Sequence, residues 1–83
     1  MNKSVREKIY ETIRDDIAFG KLAPGERLTE KELAERFHSS RNTIRESLRQ
    51  LVSEALLNFE PHRGFRVSKL SIKQVNEIFR EPI

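Results

Sequence analysis

Apolar residues recur with helical spacing along the first third of the chain. Val5, Ile9, Ile13 and Ile17 fall four residues apart, with Tyr10 and Phe19 widening the stripe. Ser4-Val5-Arg6-Glu7 has the pattern of a capping box, in which a Ser hydroxyl takes up a free N–H of the first turn and a Glu reaches back. Gly20 stands where a left-handed cap would end this helix. Leu22-Ala23-Pro24-Gly25 reads as a chain reversal, and Leu28 as an apolar anchor on a very short strand. Thr29-Glu30-Lys31-Glu32 repeats the capping-box signature and opens a second helix with Leu33, Ala34 and Phe37 inward. His38-Ser39-Ser40 interrupts it, and Ser39 or Ser40 caps a third helix whose Ile44, Leu48, Leu51, Val52 and Ala55 form one face.

The period then shortens. Leu56-Leu57-Asn58-Phe59 and Phe65-Arg66-Val67 are strand-like runs around Glu60-Pro61-His62-Arg63-Gly64, which holds Pro and Gly where a hairpin must turn. Ser71-Ile72-Lys73-Gln74 carries one more capping signature, and Ile72, Val75 and Phe79 begin an amphipathic helix. Tyr10, Phe19, Phe37, Phe59 and Phe65 read as core residues. The expected fold class is mainly α with a small β-hairpin. Two short helices a few residues apart make a helix-turn-helix, and a hairpin after the third helix makes a winged one.

With 83 residues the chain has room for one small domain and one core. No apolar run approaches the roughly 20 residues that span a bilayer, so no membrane partner is expected. The opening MNKSVREKIYETIRDD is too polar for a signal peptide. Cys is absent, which excludes disulfides and thiolate metal sites and suits a cytoplasmic location. Two His, 38 and 62, make a poor metal site, and no cofactor is expected. No nucleophile–base spacing or Gly-rich phosphate loop suggests an enzyme.

Charge changes the picture more than composition does. The net +3 lies wholly within residues 38–69, where Arg41, Arg45, Arg49, Arg63, Arg66 and Lys69 face only Glu46, Glu54 and Glu60. Five of those six bases are Arg, the better fork for phosphates and guanine edges. Clustering of this kind marks a nucleic-acid binder. The apolar face of the third helix leaves Arg41, Asn42, Thr43, Arg45 and Arg49 largely on the opposite side. Arg can bind guanine O6/N7 twice, Asn can do the same for adenine N6/N7, and Thr can meet a thymine methyl. Ser40 and the free N–H groups of the first turn suit a phosphate.

At these residues the chain resembles a known family. Leu22-Ala23-Pro24-Gly25-Glu26-Arg27-Leu28, Glu32-Leu33-Ala34-Glu35-Arg36-Phe37, Ser40-Arg41-Asn42-Thr43-Ile44-Arg45-Glu46-Ser47-Leu48 and Arg63-Gly64-Phe65-Arg66-Val67 are similar, in order and spacing, to the N-terminal domain of GntR-type bacterial transcription regulators. The resemblance covers residues 5–70 and implies a winged helix-turn-helix that binds double-stranded DNA, with the third helix (40–53) in the major groove and the wing (60–66) at the minor groove. It implies base and phosphate contacts from Arg41, Asn42, Thr43 and Arg45, a backbone contact from Lys31, and wing contacts from His62, Arg63 and Gly64. It also implies a palindromic operator bound by a homodimer. Residues 1–70 are then the DNA-binding domain. Residues 71–83 resemble the linker into an all-helical effector domain of the FadR-like branch, where a small-molecule effector would bind. Two departures stand out. The family commonly has Thr-Pro after the Arg, where this chain has Asn42-Thr43, and it favours Gly where this chain has Ala55.

Each assignment has a plainer alternative. Lys31 is spaced to pair with Glu35, and Arg49 has Glu46, Ser53 and Glu54 near it in sequence. Asn42 and Thr43 suit capping as well as base reading, and any hairpin turn wants Gly64. From a different class, a winged helix used as a protein-interaction module would dock through Ile72, Val75 and Phe79.

Overall fold

The computed structural model describes residues 3–69, so the linker helix and the apolar patch expected at 72–79 lie outside the described residues. The element order is α1 (Val5–Ala18), β1 (Arg27–Leu28), α2 (Glu30–Phe37), α3 (Arg41–Ser53), β2 (Leu57–Glu60) and β3 (Gly64–Val67). The three antiparallel strands lie in the order β1-β3-β2, so the hairpin expected from the sequence gains the short strand at Leu28 as its outer member. This is a three-helix core with a wing.

α1 starts as its sequence dictates. Ser4 Oγ accepts from Glu7 N–H at 3.1 Å, and the Glu7 carboxylate accepts from Ser4 N–H at 3.1 Å. The hydrogen bonds from Ser4 hold the Glu7 carboxyl below its ordinary range. The buried stripe begins at Ile9 and continues through Ile13 and Ile17, while Val5 is 57% exposed. Phe19 corrects the expected stripe. It follows the last helical residue and is 78% exposed, because the chain turns away there through Gly20 at φ 81°.

At α2 the second capping box forms only in part. Thr29 Oγ1 accepts from Glu32 N–H, but Glu32 Oε1 takes the Thr29 hydroxyl proton rather than a backbone one. The helix closes on His38 in the left-handed region at φ 53°. α3 ends in a Schellman arrangement, with Leu56 N–H to Leu51 O and Ala55 N–H to Val52 O, both 3.0 Å. Ala55 therefore does not extend the apolar face of α3, as its spacing suggested. It sits beyond the helix, exposed, at φ 66°.

The core joins Ile9, Ile13 and Ile17 of α1 to Ile44, Leu48 and Leu51 of α3, with Leu33, Leu57, Phe65 and Val67 closing it. Three polar residues are buried among the described residues: Asp16, Ser47 and Ser68. Ser47, fully buried, donates to Arg6 O at 2.9 Å, and its small side chain lets α1 and α3 come close. Asp16 is buried against Arg36 of α2, Nη2 to Oδ2 at 3.1 Å. Across the sheet, Leu57 faces Val67 and Phe59 faces Phe65. Phe59 corrects its assignment to the core: it is 55% exposed, because it faces the open cleft lined by the polar side chains of Glu30, Arg45 and Arg49 rather than the apolar face of a helix.

Candidate nucleic-acid interface

α3 is built to present its first turn. Ser40 is the N-cap, with extended backbone, and its Oγ accepts from Thr43 N–H at 3.1 Å. The Ser40 hydroxyl in turn donates to Thr43 Oγ1 at 2.9 Å. Thr43 is therefore half-buried and engaged in the cap. Arg41 and Asn42 are exposed, and their side chains have no hydrogen bond or ion pair among the described residues.

The charge at this helix end is unusual for the molecule. α1 and α2 both carry acids in the first turn, Glu7 and the pair Glu30 and Glu32, where carboxylates complement the positive end of the helix dipole. α3 has none there and begins with Arg41 instead. A cation at the positive end of a helix disfavours folding. An anion arriving from outside would offset that cost.

Arg45 lies one turn further along and is held in place. Its Nε donates to Glu30 Oε2 at 2.8 Å and its Nη2 to Glu30 Oε1 at 3.0 Å, a two-point pair from α3 to the first turn of α2. Arg45 holds the Glu30 carboxyl below its ordinary range, and the charges of Arg41 and Arg49 push the same way. One carboxylate thus sits among three guanidinium groups. Arg49 itself is exposed and pairs with none of its expected neighbours among the described residues. Glu54 instead accepts from the Tyr10 hydroxyl at 2.6 Å, and Ser53 Oγ donates to Gln50 O. Lys31 is exposed on α2 and unpaired with Glu35 among the described residues.

The wing turn runs from Glu60 to Arg63 and is closed by Arg63 N–H to Glu60 O at 3.0 Å. Pro61 presets the turn, and His62 takes the left-handed position at φ 68° that Gly or Asn usually fills. Gly64 follows at φ 82°. Its nearest neighbour would sit 3.9 Å from an added Cβ, so backbone conformation rather than space demands Gly there. His62 and Arg63 are exposed at the tip. Arg66 braces the wing from behind, donating from Nε to Glu60 at 3.2 Å and from Nη1 to Gly25 O at 3.0 Å.

A cleft separates α3 from the wing. Glu30, Phe59 and Phe65 line it throughout, with Arg45 and Arg49 on the helix side and Arg27, Arg63 and Gly64 on the wing side. Of the sequence-derived set, Arg45, Arg49, Arg63 and Gly64 line this cleft, whereas Lys31 on α2, Ser40, Arg41, Asn42 and Thr43 at the tip of α3, and His62 at the wing tip are not among its lining residues. Glu30 and Phe59 are absent from that set. Glu30 reads in sequence as an ordinary first-turn acid, and nothing in its spacing points to a residue 15 positions later. Phe59 reads as core because its neighbours alternate correctly.

Comparisons with known proteins agree with this fold. Residues 5–67 match the family described as bacterial regulatory proteins, gntR family. The HTH-type transcriptional repressor RspR of Escherichia coli (strain K12) is 41% identical over 71 residues, covering 86% of this chain and 31% of that protein. The chain thus spans about a third of the length of the curated relatives it matches. Among solved structures, the AraR DNA-binding domain in complex with operator ORR3 superposes with a TM-score of 0.77 at 33% identity, over 82% of this chain and 83% of that one. E. coli McbR/YncC gives a TM-score of 0.81 at 33% identity, over 95% of this chain and 37% of that one.

Proposed function

The chain belongs to the gntR family of bacterial regulatory proteins, and we propose that residues 1–70 form the sequence-specific double-stranded DNA-binding domain of a transcription regulator. α3 enters the major groove by its N-terminal turn, and the wing reaches the adjacent minor groove. The observation that carries this reading is the opening of α3, where Arg41 and Asn42 stand exposed and unpartnered at a positive helix end that carries no acid of its own. The AraR DNA-binding domain, alike in fold and in complex with its operator, supports operator binding by this domain.

In this reading Arg41 takes a guanine edge or the flanking phosphate, and Asn42 reads the neighbouring base. Arg45 enters already aligned by Glu30. Ser40 and Thr43 fix the helix tip, while Arg49 and Lys31 hold phosphates. His62, Arg63 and Gly64 form the wing contact, with Arg63 suited to a narrow minor groove. The Asn42-Thr43 pair gives a polar surface unlike the family's usual Thr-Pro, so a relative's operator sequence does not carry over to this chain. Two copies bind a palindromic site, since paired half-sites mirror a two-fold protein. Residues 71–83 lead toward an effector domain that senses a small molecule, and the regulator acts in the cytoplasm. The family and the named relatives are regulators.

Titrating a labelled random-sequence duplex with the chain at two salt concentrations tests the reading. Affinity should fall steeply with salt, and Lys31→Ala should lower the slope of log K against log salt by about 1. Binding that is absent, or indifferent to salt, would contradict it.

A further inference from the structure

Phe59 is the one large apolar side chain in the cleft between α3 and the wing that remains open to solvent. It is 55% exposed and packs on one side only, against the buried Phe65 with ring centroids 5.1 Å apart and planes inclined at 55°. Around it stand Arg45 and Arg49 on the helix side, Arg27 and Arg63 on the wing side, and the Glu30 carboxylate already taken up by Arg45. Apart from its contact with Phe65, the ring makes no aromatic or cation–π contact among the described residues, so one face is left open to a partner.

Resting on the DNA-binding reading above, we propose that Phe59 is a contact for the sugar–phosphate strand itself. A duplex has one backbone strand between a major groove and the adjacent minor groove. A protein with a helix in one groove and a wing in the other must straddle that strand, and the surface between helix and wing must face it. Here that surface is Phe59 over Phe65, flanked by guanidinium groups. The strand has matching chemistry: anionic phosphates alternate with deoxyribose rings whose C–H edges are apolar. Arg49 and Arg63 suit phosphates on either side, and the Phe59 ring suits the sugar between them. The contact carries no base information. It fixes how deep the helix sits and at what angle, in the way that backbone contacts set register.

Apolar and ionic contacts to a backbone differ in their response to salt. Losing an apolar contact lowers affinity and releases no counterion, whereas losing a phosphate contact also lowers the salt slope by about 0.9. The full chain is therefore titrated against a labelled random-sequence duplex over a salt series, as wild type, Phe59→Ala, Phe59→Leu and Arg49→Gln, with thermal melts run in parallel. Phe59→Ala should weaken binding about tenfold at every salt concentration with the slope unchanged. Phe59→Leu should retain most of the affinity, and Arg49→Gln should lower both affinity and slope. Unchanged affinity in Phe59→Ala overturns the proposal, as does a slope change like that of Arg49→Gln. A weakening that Phe59→Leu shares in full, or that follows a collapse of the melt, overturns it too. Failure of the wild type to bind any duplex would instead remove the DNA-binding reading, and this contact with it.

Discussion

Single residues account for the two places where the chain departs from its family's pattern. Ala55 occupies a left-handed position at φ 66° that closes the Schellman end of α3, so the family's preference for Gly there has a steric cause. Ala55→Gly should therefore raise stability, by about 0.5–1 kcal/mol once the extra freedom of the unfolded Gly is subtracted. A thermal or urea melt checks this, and a lower midpoint would contradict it. Asn42 is the opposite case. It is exposed and bound to nothing among the described residues, so its identity has no role in the fold and is free to answer to DNA. Ser47 shows what a sequence hides. A Ser within an apolar face looks like a tolerated blemish, yet it is fully buried and joins α3 to α1 through Arg6 O.

The secondary-structure elements were largely legible because their signals are local. Capping residues at Ser4, Thr29 and Ser40, apolar spacing of three and four, and Pro-Gly turns each act within a few positions. Sequence reading failed where the deciding partner lies far along the chain. The pairing of Glu30 with Arg45 crosses from α2 to α3, and Phe59 is exposed in a cleft whose lining residues Glu30, Arg45 and Arg49 come from those two helices. That ion pair makes a prediction about pH. The folded Glu30 carboxyl is held below its ordinary 4.5 by Arg45, so the unfolded state takes up its proton first as pH falls. Its stabilisation is present above about 4.5 and is lost as pH drops through the lower folded value. The difference in melting temperature between wild type and Glu30→Gln should thus be largest near neutrality and shrink on acidification. A difference that holds constant, or grows, below pH 4.5 would contradict the assignment.

At the scale of the molecule, the fold serves mainly to hold one helix end and one turn at a fixed distance. The α1–α3 core fixes the recognition helix, β3 links the wing to the strand before α2, and Arg66 ties the wing to the Gly25 turn. The candidate site was legible in the sequence as a set of bases, but its arrangement was not. Three of its members, Ser40, Thr43 and Arg45, have side chains already engaged within the protein, while those of Arg41, Asn42, Arg49 and Arg63 stand free of partners among the described residues. The central claim is that the tip of α3 at Arg41 reads sequence. It is tested most directly by selecting bound sites from a random duplex pool with wild type and with Arg41→Ala. The account predicts a two-fold symmetric site for the wild type. For the variant it predicts the same site with preference relaxed at one position in each half, at a cost of about 1–3 kcal/mol in affinity. Identical sites and affinities for the two proteins would contradict it.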